Sequence, residues 1–322
     1  MKILAAPASL KGVLTPREAA VLLAAGMRRA GGVEAIEAPV ADGGEGTADV
    51  IHAALGGEWL TAVVADPLGR TVGARWLLLD DGTAVVEAAA AIGLPMLAPN
   101  ERDPLQASSR GLGELLLATL AREPTSLLVC VGGTATVDGG VAMRAVVGSW
   151  LRGLPVRVAC DVRNPLLGTR GAARVFGPQK GANPAAVAEL EERLEALEEL
   201  APYRDLRGAG AGGGLGAAFA AMGAELVEGA ELVLDVIGFD DRARDASLVV
   251  TGEGTIDAST FEGKAPGAVL NRCAVLGVRC ELFGGVVRGG YDAHALSGRR
   301  ALAGEDLVQL GEELALAALD FA

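Results

Sequence analysis

Residues 2–41, KILAAPASLKGVLTPREAAVLLAAGMRRAGGVEAIEAPVA, carry the pattern that decides the fold. The apolar run KILAAPA (2–8) predicts a strand. Thr15 is placed to cap a helix, Pro16 to open it and Glu18 to close a capping box. That helix is expected to run to about Ala30. AIEAPVA (35–41) predicts the next strand. Two strands joined through a helix by short connections favour parallel pairing, which requires such a crossover.

The same alternation returns near the other end of the chain. SLVVT (247–251) predicts a strand, a helix is expected near 265–276, VRCELFGGVV (278–287) follows as a strand, and a last helix is expected at about 304–318. The middle differs. TAVVA, ARWLLLD and TAVVEAA lie between residues 61 and 89, separated by turn signals at Pro67-Leu68-Gly69 and Asp80-Asp81-Gly82. That pattern predicts antiparallel β structure. A helix at about 110–122, strands at 126–133 and 155–160, and a helix at 185–200 capped by Asn183 complete the expected elements. The fold class is therefore α/β, with a parallel sheet built from both ends and a mixed insertion. At 322 residues, two domains are expected.

Composition removes several functions. Apolar residues make up 51% and charged residues 21%, which describes a globular chain. Aromatics are 3%, too few for a base-stacking face. The net charge of −13 repels phosphate backbones, so no nucleic-acid partner is expected. The longest apolar region, Ala88–Pro99, is shorter than the roughly 20 residues of a membrane span, and no signal-peptide core is seen. A cytoplasmic protein without a membrane partner is expected. The four Cys lack zinc spacing, and two His leave little room for His-centred chemistry. Only Lys2, Lys11, Lys180 and Lys264 are lysines among 28 basic residues. Three of these four adjoin glycine, and a compact ammonium suits a phosphate or a proton transfer.

Six apolar runs each end in a segment rich in Gly and small polar residues, read as loops. They are Ala8-Ser9-Leu10-Lys11-Gly12, Asp42-Gly43-Gly44-Glu45-Gly46-Thr47, residues 132–140 (GGTATVDGG), Asp161-Val162-Arg163-Asn164-Pro165, Gly252-Glu253-Gly254-Thr255-Ile256-Asp257, and Gly284-Gly285. Open α/β sheets bind ligands beyond the carboxyl ends of their strands. Glycines there let backbone N–H groups approach an anion, and neighbouring carboxylates can hold Mg²⁺ through water. Gly beside Asp is also ordinary turn chemistry. Taken together, the segments predict a phosphoryl-transfer or nucleotide site. No GxxxxGK[ST] occurs, and the GxGxxG match at Gly208, Gly210 and Gly213 follows no strand, so neither a P-loop nor a dinucleotide fingerprint is read.

The series Lys11-Gly12, ADGGEGT (41–47), GGTATVDGG (132–140), ACDVRNPLLG (159–168), FGPQKGA (176–182), GAGAGGGLG (208–216) and TGEGTID…GKAP (251–266) resembles the type I glycerate kinase family over nearly the whole chain. The resemblance implies ATP-dependent phosphorylation of D-glycerate with Mg²⁺, most often to 2-phosphoglycerate. It implies a flavodoxin-like domain, here 1–58 with 240–322, and an inserted mixed α/β domain, here 59–239, with the active site in the cleft. Three positions depart from the family pattern: Ala8 replaces Asp, Val137 replaces Asn and Thr255 replaces Arg.

On that kinase reading, Asp42 or Asp161 is the candidate base, and Lys11, Lys180 and Lys264 neutralise phosphate or carboxylate charge. Asp138, Glu253 and Asp257 are candidate Mg²⁺ ligands, with Glu45 beside them. Gly43, Gly44, Gly132, Gly133, Gly252 and Gly254 would line the anion site, and Ser9, Thr134, Thr136 and Asn164 would contact substrate or nucleotide. Two alternatives stay open: a weakened or inactive relative that binds a small hydroxy acid, motivated by Ala8, and a kinase of a related hydroxy acid. A nicotinamide dehydrogenase is disfavoured by its misplaced fingerprint. The assembly is left open, with a homodimer allowed.

Overall fold

The computed structural model describes residues 1–148, 151, 153–160, 162–298 and 300–320. Among them the strands are β1 (Lys2–Ala5), β2 (Glu34–Glu37), β3 (Glu58–Ala65), β4 (Thr71–Leu78), β5 (Thr83–Glu87), β6 (Ser126–Cys130), β7 (Val156–Cys160), β8 (Glu225–Glu228), β9 (Leu248–Ile256), β10 (Cys280–Val287) and β11 (His294–Ala295). The chain divides into two compact units. The first comprises Met1–Asp42, Asp49–Ala54 and Ala230–Ala322; the second comprises Gly43–Ala48 and Leu55–Gly229.

The first unit carries a sheet of order β11-β10-β9-β1-β2, with every described pair parallel. The crossover from β1 to β2 is the helix Pro16–Arg29. Its capping box forms as expected: the Thr15 hydroxyl accepts from the Glu18 N–H at 3.2 Å, and the Glu18 carboxylate accepts from the Thr15 N–H at 2.8 Å. The helix buries Ala19, Ala20, Leu23, Ala24 and Met27. It packs against Ala303–Asp320, where Gly311 and Gly26 permit close approach. A Cβ on Gly26 would lie 1.9 Å from the Val308 carbonyl oxygen. Core side chains from both helices and from β1 and β9 form one apolar cluster.

The second unit carries a mixed sheet of order β3-β4-β5-β6-β7-β8. The predicted hairpins are present: β3–β4 and β4–β5 are antiparallel, while β5 to β8 run parallel. Trp76, Val86, Leu112, Leu116, Val129, Met143 and Phe219 lie in its core.

Two elements differ from their sequence reading. The helix expected over 185–200 ends at Glu195, and Glu198–Tyr203 forms a 3₁₀ turn. Leu197 leaves helical angles (ψ 78°), and Pro202 has no N–H to extend an α-helix. The larger correction concerns Gly252–Ile256, expected as a loop, and Gly284-Gly285, read as a loop although it falls within the strand expected over 278–287. Both lie within strands, paired as Gly252 to Phe283, Glu253 to Gly284 and Thr255 to Val286. Gly252 is needed for strand proximity, since a Cβ there would sit 2.2 Å from the Phe283 carbonyl oxygen.

Candidate functional site

The predicted site residues divide between the units, and each set is built by local structure. In the first unit, backbone contact continues past β1, because the Ala8 N–H donates to the Gly252 carbonyl at 2.9 Å. Ser9 follows, half-buried. Leu10 and Leu14 then bridge across a tight turn that places Lys11 in solvent and Gly12 at φ +71°. Gly254 lies alongside, since a Cβ on it would come 3.5 Å from the Lys11 nitrogen.

Glu253 projects from β9 and is 8% exposed. Its Oε1 accepts from the Thr260 hydroxyl at 2.8 Å and from Lys264 Nζ at 3.3 Å; Oε2 lies 3.4 Å from the same ammonium. Burial pushes the Glu253 carboxyl above the ordinary carboxylate value, against the pull of Lys264 and the Thr260 hydrogen bond. Like-charge repulsion from Asp42 adds to the upward push on Glu253. Lys264 occupies the N-cap position of the helix Ala265–Leu276, with Pro266 in its first turn, as the sequence indicates. Asp257 caps the short 3₁₀ turn Ala258–Phe261, with Oδ1 accepting from the Ser259 N–H (2.9 Å) and hydroxyl (2.6 Å). Those bonds hold its carboxyl below the ordinary range.

In the second unit, Gly132 and Gly133 follow β6, and Gly133 takes φ +73°. Lys180 is 4% exposed. Its Nζ donates to the Thr136 carbonyl at 2.8 Å and approaches the Thr134 hydroxyl at 3.4 Å. The hydroxyl of Thr136 is buried and finds no hydrogen-bond partner among the described residues. The Gly-rich stretch seals this cradle: Gly212, Gly213 and Gly214 take φ of 62°, 74° and 98°. A Cβ on Gly213 would fall 1.9 Å from the Thr136 oxygen that receives Lys180. Gly43 (φ +87°) lies against Ala159, where a Cβ would come within 2.7 Å. Gly44 offers its carbonyl to the Thr47 hydroxyl at 2.7 Å, and Glu45 is exposed.

Two predicted contacts are committed to structure. Asp138 Oδ2 accepts from the Ser109 N–H (2.9 Å) and hydroxyl (2.7 Å), while Oδ1 accepts from the Gly140 N–H at 3.0 Å. Asn164 Nδ2 donates to the Arg170 carbonyl at 2.7 Å. Asp161 lies outside the described residues. Sequence reasoning missed Thr260, although its place three residues after Asp257 is a capping signal. It also missed Glu87, which accepts from the Ala48 N–H at 2.8 Å, and Arg300, whose guanidinium sits 2.9 Å from where a Gly12 Cβ would be.

No group of three His, Cys, Asp or Glu among the described residues forms a metal cage. A Mg²⁺ that arrives on phosphate oxygens needs only one or two protein carboxylates. Asp257, with Oδ2 in no hydrogen bond among the described residues, suits that role better than Asp138. No helix among the described residues is long and apolar enough to cross a membrane.

Comparison with known proteins identifies the family. The model of the glycerate kinase family matches residues 3–151 and 145–304. A glycerate 2-kinase of Escherichia coli K12 is 39% identical over 310 residues, covering 84% of this chain and 81% of the relative. A glycerate kinase of Bacillus subtilis 168 is 38% identical, covering 83% and 80%. A crystal structure from Salmonella typhimurium LT2, assigned as glycerate kinase 2, superposes with a TM-score of 0.84 at 33% identity, covering 100% of this chain and 98% of that one.

Proposed function

The chain belongs to the glycerate kinase family, and from that premise we propose that it transfers the γ-phosphoryl group of ATP to D-glycerate, giving 2-phosphoglycerate. The observation that carries this reading is the grouping of Lys11, Lys264 and Glu253 at the carboxyl ends of β1 and β9. Phosphoryl transfer is catalysed mainly by positioning and by neutralising charge on the phosphoryl oxygens. Lys11 and Lys264 supply that charge in a chain whose net charge of −13 otherwise repels both anionic substrates.

The acceptor hydroxyl attacks the γ-phosphorus in line. One oxygen–phosphorus bond forms as the bond to the β–γ bridging oxygen breaks, and ADP leaves. The hydroxyl proton passes to a carboxylate, for which Asp42 and Asp161 are the candidates. Glu253 orients Lys264 rather than serving as the base, because its Oε1 is already held by Thr260 and Lys264. Lys180 is assigned to the glycerate carboxylate or a phosphate, aided by the backbone of Gly132 and Gly133 and by Thr134. Bound Mg²⁺ would neutralise charge on the β- and γ-phosphates, with Asp257 as its carboxylate.

Phosphorus NMR of protein incubated with ATP, Mg²⁺ and D-glycerate tests the reaction and its carbon. A 2-phosphoglycerate resonance is expected; a 3-phosphoglycerate resonance overturns the carbon, and neither overturns the reading. A weakened hydroxy-acid-binding relative is the second reading, favoured by Ala8 beside Gly252. Under it, Ala8→Asp raises turnover strongly; under the first, Ala8→Asp changes an already active enzyme little.

A further inference from the structure

The first unit contains a cavity of about 310 Å³. Its lining includes the apolar side chains of Leu10, Val13, Val286, Leu296 and Ala303. The lining also carries the cations Lys11, Lys264 and Arg300. Its two acids are already engaged. Glu253 holds Thr260 and Lys264. Asp306 accepts from the Ser297 N–H at 3.0 Å and hydroxyl at 2.6 Å. Lys11 and Arg300 form no ion pair with any described residue, and the three cations of the lining outnumber its two carboxylates.

Arg300 is held there by sterics. Gly12 lacks a Cβ, and the Arg300 guanidinium uses the space, with Nη2 at 2.9 Å and Cζ at 3.8 Å from the missing atom's position. The short 3₁₀ turn Arg300–Leu302 brings the side chain to that spot. A second cavity, in the other unit, differs in kind. It is about 100 Å³, well below the roughly 300–1,000 Å³ usual for larger organic ligands.

Resting on the kinase reading above, we propose that the cavity of the first unit is the nucleotide site. The base and ribose lie against Leu10, Val13 and Leu296, and Arg300 joins Lys11 in binding the phosphates. Of the two substrates, only the nucleotide has apolar faces to place against five aliphatic side chains. A three-carbon hydroxy acid has none, and burying that wall with it would gain little. The planar Arg fork binds phosphate oxygens in pairs, which an ammonium cannot do. Val286, left 41% exposed, is the part of the wall with the most surface to cover.

The test measures binding of ADP, inorganic tripolyphosphate and D-glycerate to the full chain by calorimetry, in parent, Arg300→Ala and Leu296→Gln proteins. Arg300 is exposed, so its loss leaves the fold intact. Arg300→Ala should weaken ADP and tripolyphosphate about tenfold, as expected for one charge-assisted contact. It should leave D-glycerate within about twofold, a range too small to count as a lost contact. Leu296→Gln should weaken ADP while leaving tripolyphosphate unchanged. If Arg300→Ala weakens D-glycerate and spares ADP, the cavity takes the acceptor and the proposal falls. If ADP binds the parent but neither substitution alters it, the proposal falls while the kinase reading stands. If neither ADP nor tripolyphosphate binds the parent at all, the kinase reading falls with it.

Discussion

The first unit holds Lys264 against a carboxylate, with Glu253 Oε1 at 3.3 Å and the lysine side chain 29% exposed. The second holds Lys180 at 4% exposure against a backbone carbonyl and a threonine hydroxyl. Both lysines adjoin glycine in sequence, and both face a cavity. The difference is in what fixes them. Lys264 is held by a titratable partner, Glu253, and sits at a helix start. Among the described residues, Lys180 is held by the Thr136 carbonyl and the Thr134 hydroxyl, on a backbone shaped by left-handed glycines.

Changes that break that backbone should cost most. Gly213→Ala places a Cβ 1.9 Å from the Thr136 carbonyl oxygen at a φ of +74°. It should destabilise the protein by about 3 kcal/mol in urea unfolding, since both the overlap and the strained φ must be relieved. Next, Lys264→Met should lower kcat/KM for D-glycerate by about 100-fold, or about 2.7 kcal/mol of transition-state stabilisation. Its unfolding midpoint should move little, because the Glu253 carboxyl left behind is already raised by burial, keeps its Thr260 hydrogen bond and can take up a proton. Lys180→Met should do the reverse in part. Removing the donor to the Thr136 carbonyl in a buried site should cost about 2 kcal/mol of stability, readable in the same unfolding experiment. Equal stability losses in the two lysine variants would erase the distinction.

The smallest effect concerns pH. The Glu253 carboxyl is raised above its ordinary value of 4.5, first by burial. A carboxyl raised on folding contributes stability that is fully present below its unfolded value and lost as pH rises through the folded value. Glu253→Gln lacks that titration. It should therefore match the parent's melting temperature near pH 4 and exceed it at pH 7. A variant less stable than the parent at pH 7 would show that the contact with Lys264 outweighs burial.

The frame of the molecule was legible because local signals agreed with tertiary structure. Thr15, Pro16 and Glu18 mark a helix start that the fold keeps, and the two hairpin turns separate strands that pair as expected. The GEG segment misled because glycine has two uses that look alike in sequence. At Gly213 it supplies a left-handed φ, and at Gly252 it only makes room for Phe283 in the adjacent strand. The site was legible where a rare residue type carried it, as for the lysines. Arg300 was hidden among 24 arginines, and its proximity to Gly12 arises from a contact 288 positions away in sequence. The bracing of Asp138 by Ser109 was hidden for the same reason.

The most direct measurement is ADP formation from ATP and Mg²⁺ by the purified protein, with and without D-glycerate, alongside phosphoglycerate formed. ADP release is expected to require D-glycerate and to match phosphoglycerate mole for mole. ADP release at the same rate without the acceptor, or none with it, would contradict a kinase acting on glycerate.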